Sequence, residues 1–353
     1  MDQGRNQEGC RLVAQLARLT SQSSMTKRSE ADVVAMSGLA PLVFIGFAIL
    51  ISTAAHGLTP GAALSILLLT GISGAYILIS KLFSVRARRL VLLATFAIIA
   101  GFALAQVIVS LIASARLIRP TGENVLAPVM LAAIILAMQD GKPRLAACYG
   151  LALFVSGSMA GYISALVAAL VYILPRFTAK LNGRRALLAL SIVGPGAVIY
   201  TYGLLGRTHG PPSQRVTVWF YALGLFLNDP YAGAGLGIIS QTSPWRLPHA
   251  HNLILQVAAE LGVVGLLALA GVVWWAVRRA MPRGGMICWP GLALLVGLAA
   301  ESMLDYIYWV PQASLLILLA FEVICVSGAA AHDAAGASTS EDHQPDTVDH
   351  SPD

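Results

Sequence analysis

The segment His249-Ala-His-Asn-Leu-Ile-Leu-Gln-Val-Ala-Ala-Glu-Leu-Gly262 sets two imidazoles directly before a long apolar run. Arg215 stands 36 residues before His251, and the stretch between them is rich in Gly, Pro and aromatic residues. A neutral imidazole accepts a proton near pH 7, and a guanidinium grips planar anions through paired N–H donors. Together they point to chemistry on an anionic group beside a membrane. Pro248 suits the first turn of a helix, so His249 and His251 are expected near a positive helix end. There the dipole disfavours imidazolium, which keeps His251 able to take a proton, and it welcomes an anion. Metal ligation is the competing use of two histidines. On a helix, however, residues i and i+2 point about 200° apart, unlike the i,i+4 pair of zinc proteases. A plainer alternative makes His251 an interfacial anchor of a span.

The elements around these residues can be read next. Residues 214–227, with Trp219, Phe220 and Tyr221, read as a helix lying along the membrane surface, because aromatic rings favour the interface. Asn228-Asp-Pro ends it, and Gly233, Gly235 and Gly237 follow. Such a run either turns flexibly or cradles a phosphate. Glu260 lies nine residues after His251, about 13 Å along a straight helix and on its opposite face. That separation excludes a direct contact with His251, leaving helix packing or a catalytic role. Glu301 and Asp305 raise the same question near the end of a later span, and Asp305 is close enough to the surface to reach the loop.

Composition fixes the class. Apolar residues make up 57% of the 353-residue chain and charged residues only 11%, against about a quarter in soluble domains. Mean hydropathy is +0.74. Apolar runs of the ~20 residues that cross a bilayer recur along the chain. The expectation is an all-α, polytopic integral membrane protein with about ten transmembrane helices and an outer loop carrying short helices. Candidate spans fall at 33–54, 60–80, 90–112, 124–139, 145–158, 159–175, 186–204, 251–277, 286–303 and 309–328, those at 124–139, 145–158 and 159–175 being short. This makes 33–328 the membrane domain, 1–32 a cytoplasmic N-terminal segment and 329–353 a disordered, acidic cytoplasmic tail. The net charge of +6 sits in short clusters between spans, which speaks for topology signals rather than nucleic acid.

With the N-terminus in the cytoplasm, the inner segments hold 18 of the 23 basic residues, as the positive-inside rule requires. The five exceptions are Arg116, Arg119, Arg207, Arg215 and Arg246. Three share the loop at about 205–250, where topology mildly opposes them, so anion binding is the simplest reason for their presence. At the N-terminus, Leu12, Leu16 and Leu19 line one helical face beside Arg11 and Arg18, which suits either an amphipathic helix on the membrane or a disordered leader. A cleaved signal peptide is not expected, because the polar leader exceeds thirty residues. Cys10, Cys148, Cys288 and Cys325 form no CxxC pair, so neither a disulfide nor a metal site is indicated.

Arg215-x-x-x-Trp219, then Asp229-Pro-Tyr-Ala-Gly-Ala-Gly-Leu-Gly237, then His249-Ala-His-Asn with Glu260-x-Gly262, resembles the core of the O-antigen ligase and O-antigen polymerase family, which also holds exopolysaccharide polymerases. Asn124-Val-Leu-Ala and Ser156-Gly-Ser-Met-Ala-Gly161 match further family segments less closely. The resemblance implies a GT-C-like fold and a donor glycan on undecaprenyl diphosphate, presented at the periplasmic face of the bacterial inner membrane. It also implies transfer to a hydroxyl of a glycan or lipid A-core acceptor, without metal or other cofactor. On that reading Arg215 binds the diphosphate and His251 is the general base. Arg246, Arg207, Arg119, His249, Trp219 and Tyr231 contact substrate, and Glu260 and Asp305 give support. Trp245 would serve like the other aromatics. The chain departs from the family at Met159, where members carry a second catalytic arginine, so another outer arginine must compensate or the activity is altered. The loop is also short for the family. A transporter or flippase of anionic or polyprenyl-linked substrates, and a non-catalytic subunit of polysaccharide assembly, are the alternatives. The former would place charge at mid-membrane and show inverted repeats, and neither is evident.

Overall fold

The computed structural model describes residues 40–112, 123–177, 214–244, 249–281, 287–304 and 313–326. The candidate span 186–204, the N-terminal segment and the tail lie outside the described residues. So do Arg116, Arg119, Arg207, Trp245, Arg246 and Asp305. In order, the helices are α1 Ala40–His56, α2 Pro60–Leu82, α3 Val85–Ile112, α4 Glu123–Gln139, α5 Pro143–Ser156 and α6 Met159–Phe177. They continue as α7 Gln214–Asn228, α8 Ile238–Thr242, α9 Leu253–Ala280, α10 Trp289–Ser302 and α11 Ala313–Val326. Among the described residues there is no strand. A helix stands at each expected span that falls within them.

Local signals explain the helix ends. Thr59 caps α2, its hydroxyl accepting from the Ala62 N–H at 3.1 Å, with Pro60 in the first turn, where a missing N–H costs nothing. Pro143 opens α5 in the same way, and Gly157 closes it in the left-handed conformation at φ 74°. Ser158 then caps α6 through the Gly161 N–H at 3.1 Å. The Ser156–Gly161 corner is therefore tight.

The core gathers around α4. Met130, Leu131, Ala132, Ala133 and Leu136 are buried there among Phe96 of α3, Tyr149 of α5, Val171 of α6, Leu292 and Leu294 of α10 and Ile324 of α11. Phe96 and Tyr149 meet edge to face at 6.4 Å, and the Tyr149 hydroxyl donates to the Leu93 carbonyl at 2.8 Å. A Cβ on Gly297 of α10 would lie 2.8 Å from Leu131 and 2.9 Å from Ala168. Small residues thus bring α10, α6 and α4 close, as helix packing in lipid requires. Large apolar side chains of α1 to α3, including Phe47, Leu67, Leu78, Ile98 and Phe102, point outward instead. In water such a surface would aggregate; against lipid tails it is stable. Pro60–Leu82, Val85–Ala105 and Leu253–Ala280 are long and apolar enough to cross a membrane, and seven further apolar helices are shorter. The chain is a helical membrane protein.

Candidate functional site

The site forms where α7, the glycine-rich loop and the start of α9 meet. Val218 and Ala222 of α7, Ile239 of α8, and Ala250 and Ala259 make one small buried cluster. Arg215 lies one turn before Val218 on α7, so its helix is packed against the residue preceding His251. The Arg215 side chain itself is outside what is described.

Helix α9 does not start at Pro248. It starts at Leu253, with Asn252 as its cap: the Asn252 Oδ1 accepts from the Leu255 N–H at 3.0 Å. This corrects the expected boundary. An asparagine in extended conformation satisfies an orphan N–H of the first turn better than a proline four residues earlier. The histidines therefore belong to a turn rather than to the helix. His251 takes φ 52°, the left-handed region that a non-glycine residue rarely occupies. The ring centroids of His249 and His251 lie 4.3 Å apart, tilted by 55°. Opposed directions were expected for i and i+2 on a helix, and the turn removes that premise. Among the described residues no group of three or more His, Cys, Asp or Glu is arranged to hold a metal ion.

Three hydrogen bonds fix the turn from outside. The buried Gln256 Oε1 accepts from the Ala250 N–H at 2.7 Å. The Asn252 Nδ2 donates to the Met303 carbonyl at 3.1 Å, tying α9 to the end of α10. The Gln256 N–H donates to the Asn252 carbonyl at 2.9 Å. Neither Asn252 nor Gln256 was singled out from sequence, although an Asn immediately before an apolar run is a cap signal.

Glu260 and the glycines form one structure. Helix α9 breaks at Gly262, whose φ 63° and ψ −154° are not helical and belong to a region open essentially to glycine alone. The loop backbone docks into that break. Ala234 N–H donates to the Ala259 carbonyl at 2.7 Å, Gly235 N–H to the Glu260 carbonyl at 3.2 Å, and Val263 N–H to the Pro230 carbonyl at 2.8 Å. A Cβ on Gly233 would lie 2.4 Å from Glu260 and Leu261 backbone, and one on Gly262 would lie 2.4 Å from the Tyr231 carbonyl oxygen. The Glu260 carboxyl group, 3% exposed, accepts from the Gly237 N–H at 3.0 Å and stands one helical turn from Gln256. The run is thus neither a flexible turn nor a phosphate cradle, since the amides of Gly233, Ala234, Gly235 and Gly237 are all spent on protein acceptors.

Neighbouring elements complete the setting. Ser52 of α1 donates to the Glu260 carbonyl at 3.3 Å. His56 Nε2, at the end of α1, lies 3.7 Å from the Asp229 carboxylate. Tyr231 is 79% exposed, and Trp219 is half-buried on α7. Met159 opens α6 with its side chain exposed, and its neighbour Ala160 packs with Leu304 and Met303 at the end of α10. Because Met303 also receives Asn252, the corner at Met159 stands one residue layer from the histidine turn. Glu301 is fully buried beside Ser164 of α6, whose hydroxyl donates to its carboxylate at 3.2 Å.

One helical bundle thus presents a histidine turn, an arginine-bearing helix and a glycine clamp in one place. Residues 145–270, which run from α5 through the break in α9, match the family model described as O-antigen ligase, a family of glycosyltransferase-like enzymes. The resemblance drawn from the motifs is borne out over this stretch. No curated protein matches the chain.

Proposed function

We propose that the chain transfers or polymerises a glycan, taking it from undecaprenyl diphosphate and joining it to a hydroxyl of a glycan or lipid A-core acceptor. The observation that carries this reading is the packing of the Arg215 helix against the histidine turn, inside the stretch that matches the O-antigen ligase family. In the reaction, His251 takes the proton of the acceptor hydroxyl. The freed oxygen attacks the anomeric carbon of the donor sugar while the bond from that carbon to the diphosphate breaks. Arg215 binds the departing diphosphate through paired charge-assisted hydrogen bonds that strengthen as charge develops. No metal is required for any of these steps. One of the outer arginines Arg116, Arg119, Arg207 and Arg246 supplies the second positive charge that Met159 does not. His249, tilted against His251, Trp219 and Tyr231 line the path of the sugar, and Asp305 lends support. The site faces the periplasm from the inner membrane, about ten helices cross the bilayer, and both termini are cytoplasmic.

The test uses the purified full-length protein in lipid nanodiscs with an undecaprenyl diphosphate glycan and an acceptor glycan. His251→Ala abolishes transfer with expression and thermal unfolding unchanged. Arg215→Lys fails nearly as badly as Arg215→Ala, by about 100-fold or more, because an ammonium lacks the fork geometry. A lysine variant with wild-type turnover would reduce Arg215 to a source of long-range charge. Lack of any transfer by the wild-type protein would leave a non-catalytic role in polysaccharide assembly.

A further inference from the structure

Nine residues separate Glu260 from His251, and on a straight helix they never meet. The structure joins them through a third side chain. Ala250, adjacent to His251, gives its N–H to the Gln256 Oε1 at 2.7 Å. Gln256 stands one helical turn before Glu260 on the same face of α9, so its carboxamide lies beside the Glu260 carboxyl group. With its Oε1 turned to the Ala250 N–H, the carboxamide has its Nε2 donor left for Glu260. Glu260 in turn receives the Gly237 N–H at 3.0 Å. Gln256 and Glu260 are both 3% exposed and Ala250 is fully buried, so water cannot substitute for any link.

We infer that Gln256 and Glu260 are positioning residues for His251, forming a buried relay that holds the histidine turn in register with the glycine loop. This rests on the reading of His251 as the proton acceptor given above. The turn needs such a restraint because His251 sits at φ 52°, a conformation that persists only where its surroundings over-determine it. The relay works by orientation. The Ala250 N–H has one acceptor, that acceptor is oriented by Glu260, and Glu260 is oriented by the Gly237 amide at the start of α8. Anything that turns the Gln256 carboxamide over presents a donor to the Ala250 N–H and releases the turn.

Exchange of the two polar groups tests the relay in full-length protein in nanodiscs. Gln256→Met keeps the volume and removes both hydrogen bonds. Gln256→Glu sets two carboxylates against each other, and Glu260→Gln loses one acceptor. Each single variant lowers kcat by about tenfold to a hundredfold, the usual consequence of a misplaced reacting group, while KM for the donor stays within about threefold. The exchanged pair, Gln256→Glu with Glu260→Gln, restores the order. The carboxylate at 256 accepts from Ala250, the carboxamide at 260 donates back to it, and its oxygen still accepts from Gly237. Turnover then recovers to within about threefold of wild type. A second readout is independent of transfer: the rate at which diethyl pyrocarbonate modifies His251, located by tandem mass spectrometry, changes in each single variant and returns in the exchanged pair. Single variants with wild-type kcat and modification rate would overturn the relay, as would an exchanged pair no better than the singles. A wild-type protein without transfer would sink the functional reading instead, and the modification rates would then decide the relay alone.

Discussion

Glu260 and Glu322 are both buried carboxylates in an apolar bundle, and the protein neutralises them in different ways. The Gly61 end of α2 lies against the loop that Glu260 holds. Tyr76, about 22 Å further along α2 by helical rise, donates to Glu322 at 2.6 Å. Glu322 also takes Arg88 Nη1 at 3.0 Å, and Arg88 reaches Ser80 at 3.3 Å. At that end a full ion pair welds α2, α3 and α11 together. At the other end Glu260 is held by the Gly237 amide beside the Gln256 carboxamide, so its carboxyl group serves to place a loop and a turn. The same residue type, buried to the same degree, is a helix tie at one end and a template for local backbone at the other.

The largest effect is expected where a charge would be stranded. Arg88→Ala leaves Glu322 buried and without its cation, at a cost of about 3–5 kcal/mol. The thermal unfolding midpoint in detergent should fall steeply. Replacing both partners, Arg88→Met with Glu322→Leu, should recover most of the loss, because a matched apolar pair of similar volume is often neutral or better. If Arg88→Ala unfolds like the wild type, Glu322 is no tie and the contrast with Glu260 collapses. Transfer activity per folded molecule should not change in the double variant, since this end carries none of the histidine turn.

How far sequence revealed this contrast follows from what each end depends on. Apolar helices were legible because long apolar runs favour a membrane helix, and three of the described ones are long and apolar enough to cross a membrane. The glycine, histidine and glutamate motif was legible as a motif, but its assembly was not. Straight-helix geometry put Glu260 out of reach of His251; the break at Gly262 lets the loop dock beside Glu260, and Gln256 stands between Glu260 and the histidine turn. Nothing in the spacing of Glu260 and Gly262 announces that break. Arg88 read as one of several positive charges at a span end, yet it is buried. Its partner Glu322 lies 234 residues away in sequence, a separation over which no local pattern operates. Near Arg88 the similar-looking Arg89 pairs with Asp140 instead, and Lys142 reaches the same carboxylate at 3.4 Å.

A medium effect sharpens the comparison from the loop side. Gly262→Ala should cost about 2–4 kcal/mol, from a backbone conformation closed to alanine and a Cβ against the Tyr231 carbonyl. The matched control is Gly224→Ala on α7, where a Cβ meets nothing within 4 Å and helix propensity favours the change by up to about 1 kcal/mol. Thermal unfolding of the two variants should shift in opposite directions. Should Gly262→Ala prove neutral, the loop is not docked in the break and Glu260 loses its role as a template.

The smallest effect concerns the bond from Asn252 that links the histidine turn to the end of α10. Asn252 has two duties, and Asn252→Asp separates them. The aspartate keeps an acceptor for the Leu255 N–H and adds a negative charge at a helix N-terminus, which is favourable by about 0.3–1 kcal/mol. It loses the donor to the Met303 carbonyl and sets a carboxylate against that carbonyl, a penalty of about 1–3 kcal/mol for a buried acceptor left unmet. The net loss should be about 1 kcal/mol, against about 2 kcal/mol for Asn252→Ala, which gives up the cap as well. Turnover should fall in both variants, because the contact with α10 fixes one side of the turn and Gln256 the other. Stability lost in the alanine variant alone, with Asn252→Asp wild type in both turnover and unfolding, would reduce Asn252 to a helix cap and leave the turn held from the Glu260 side only.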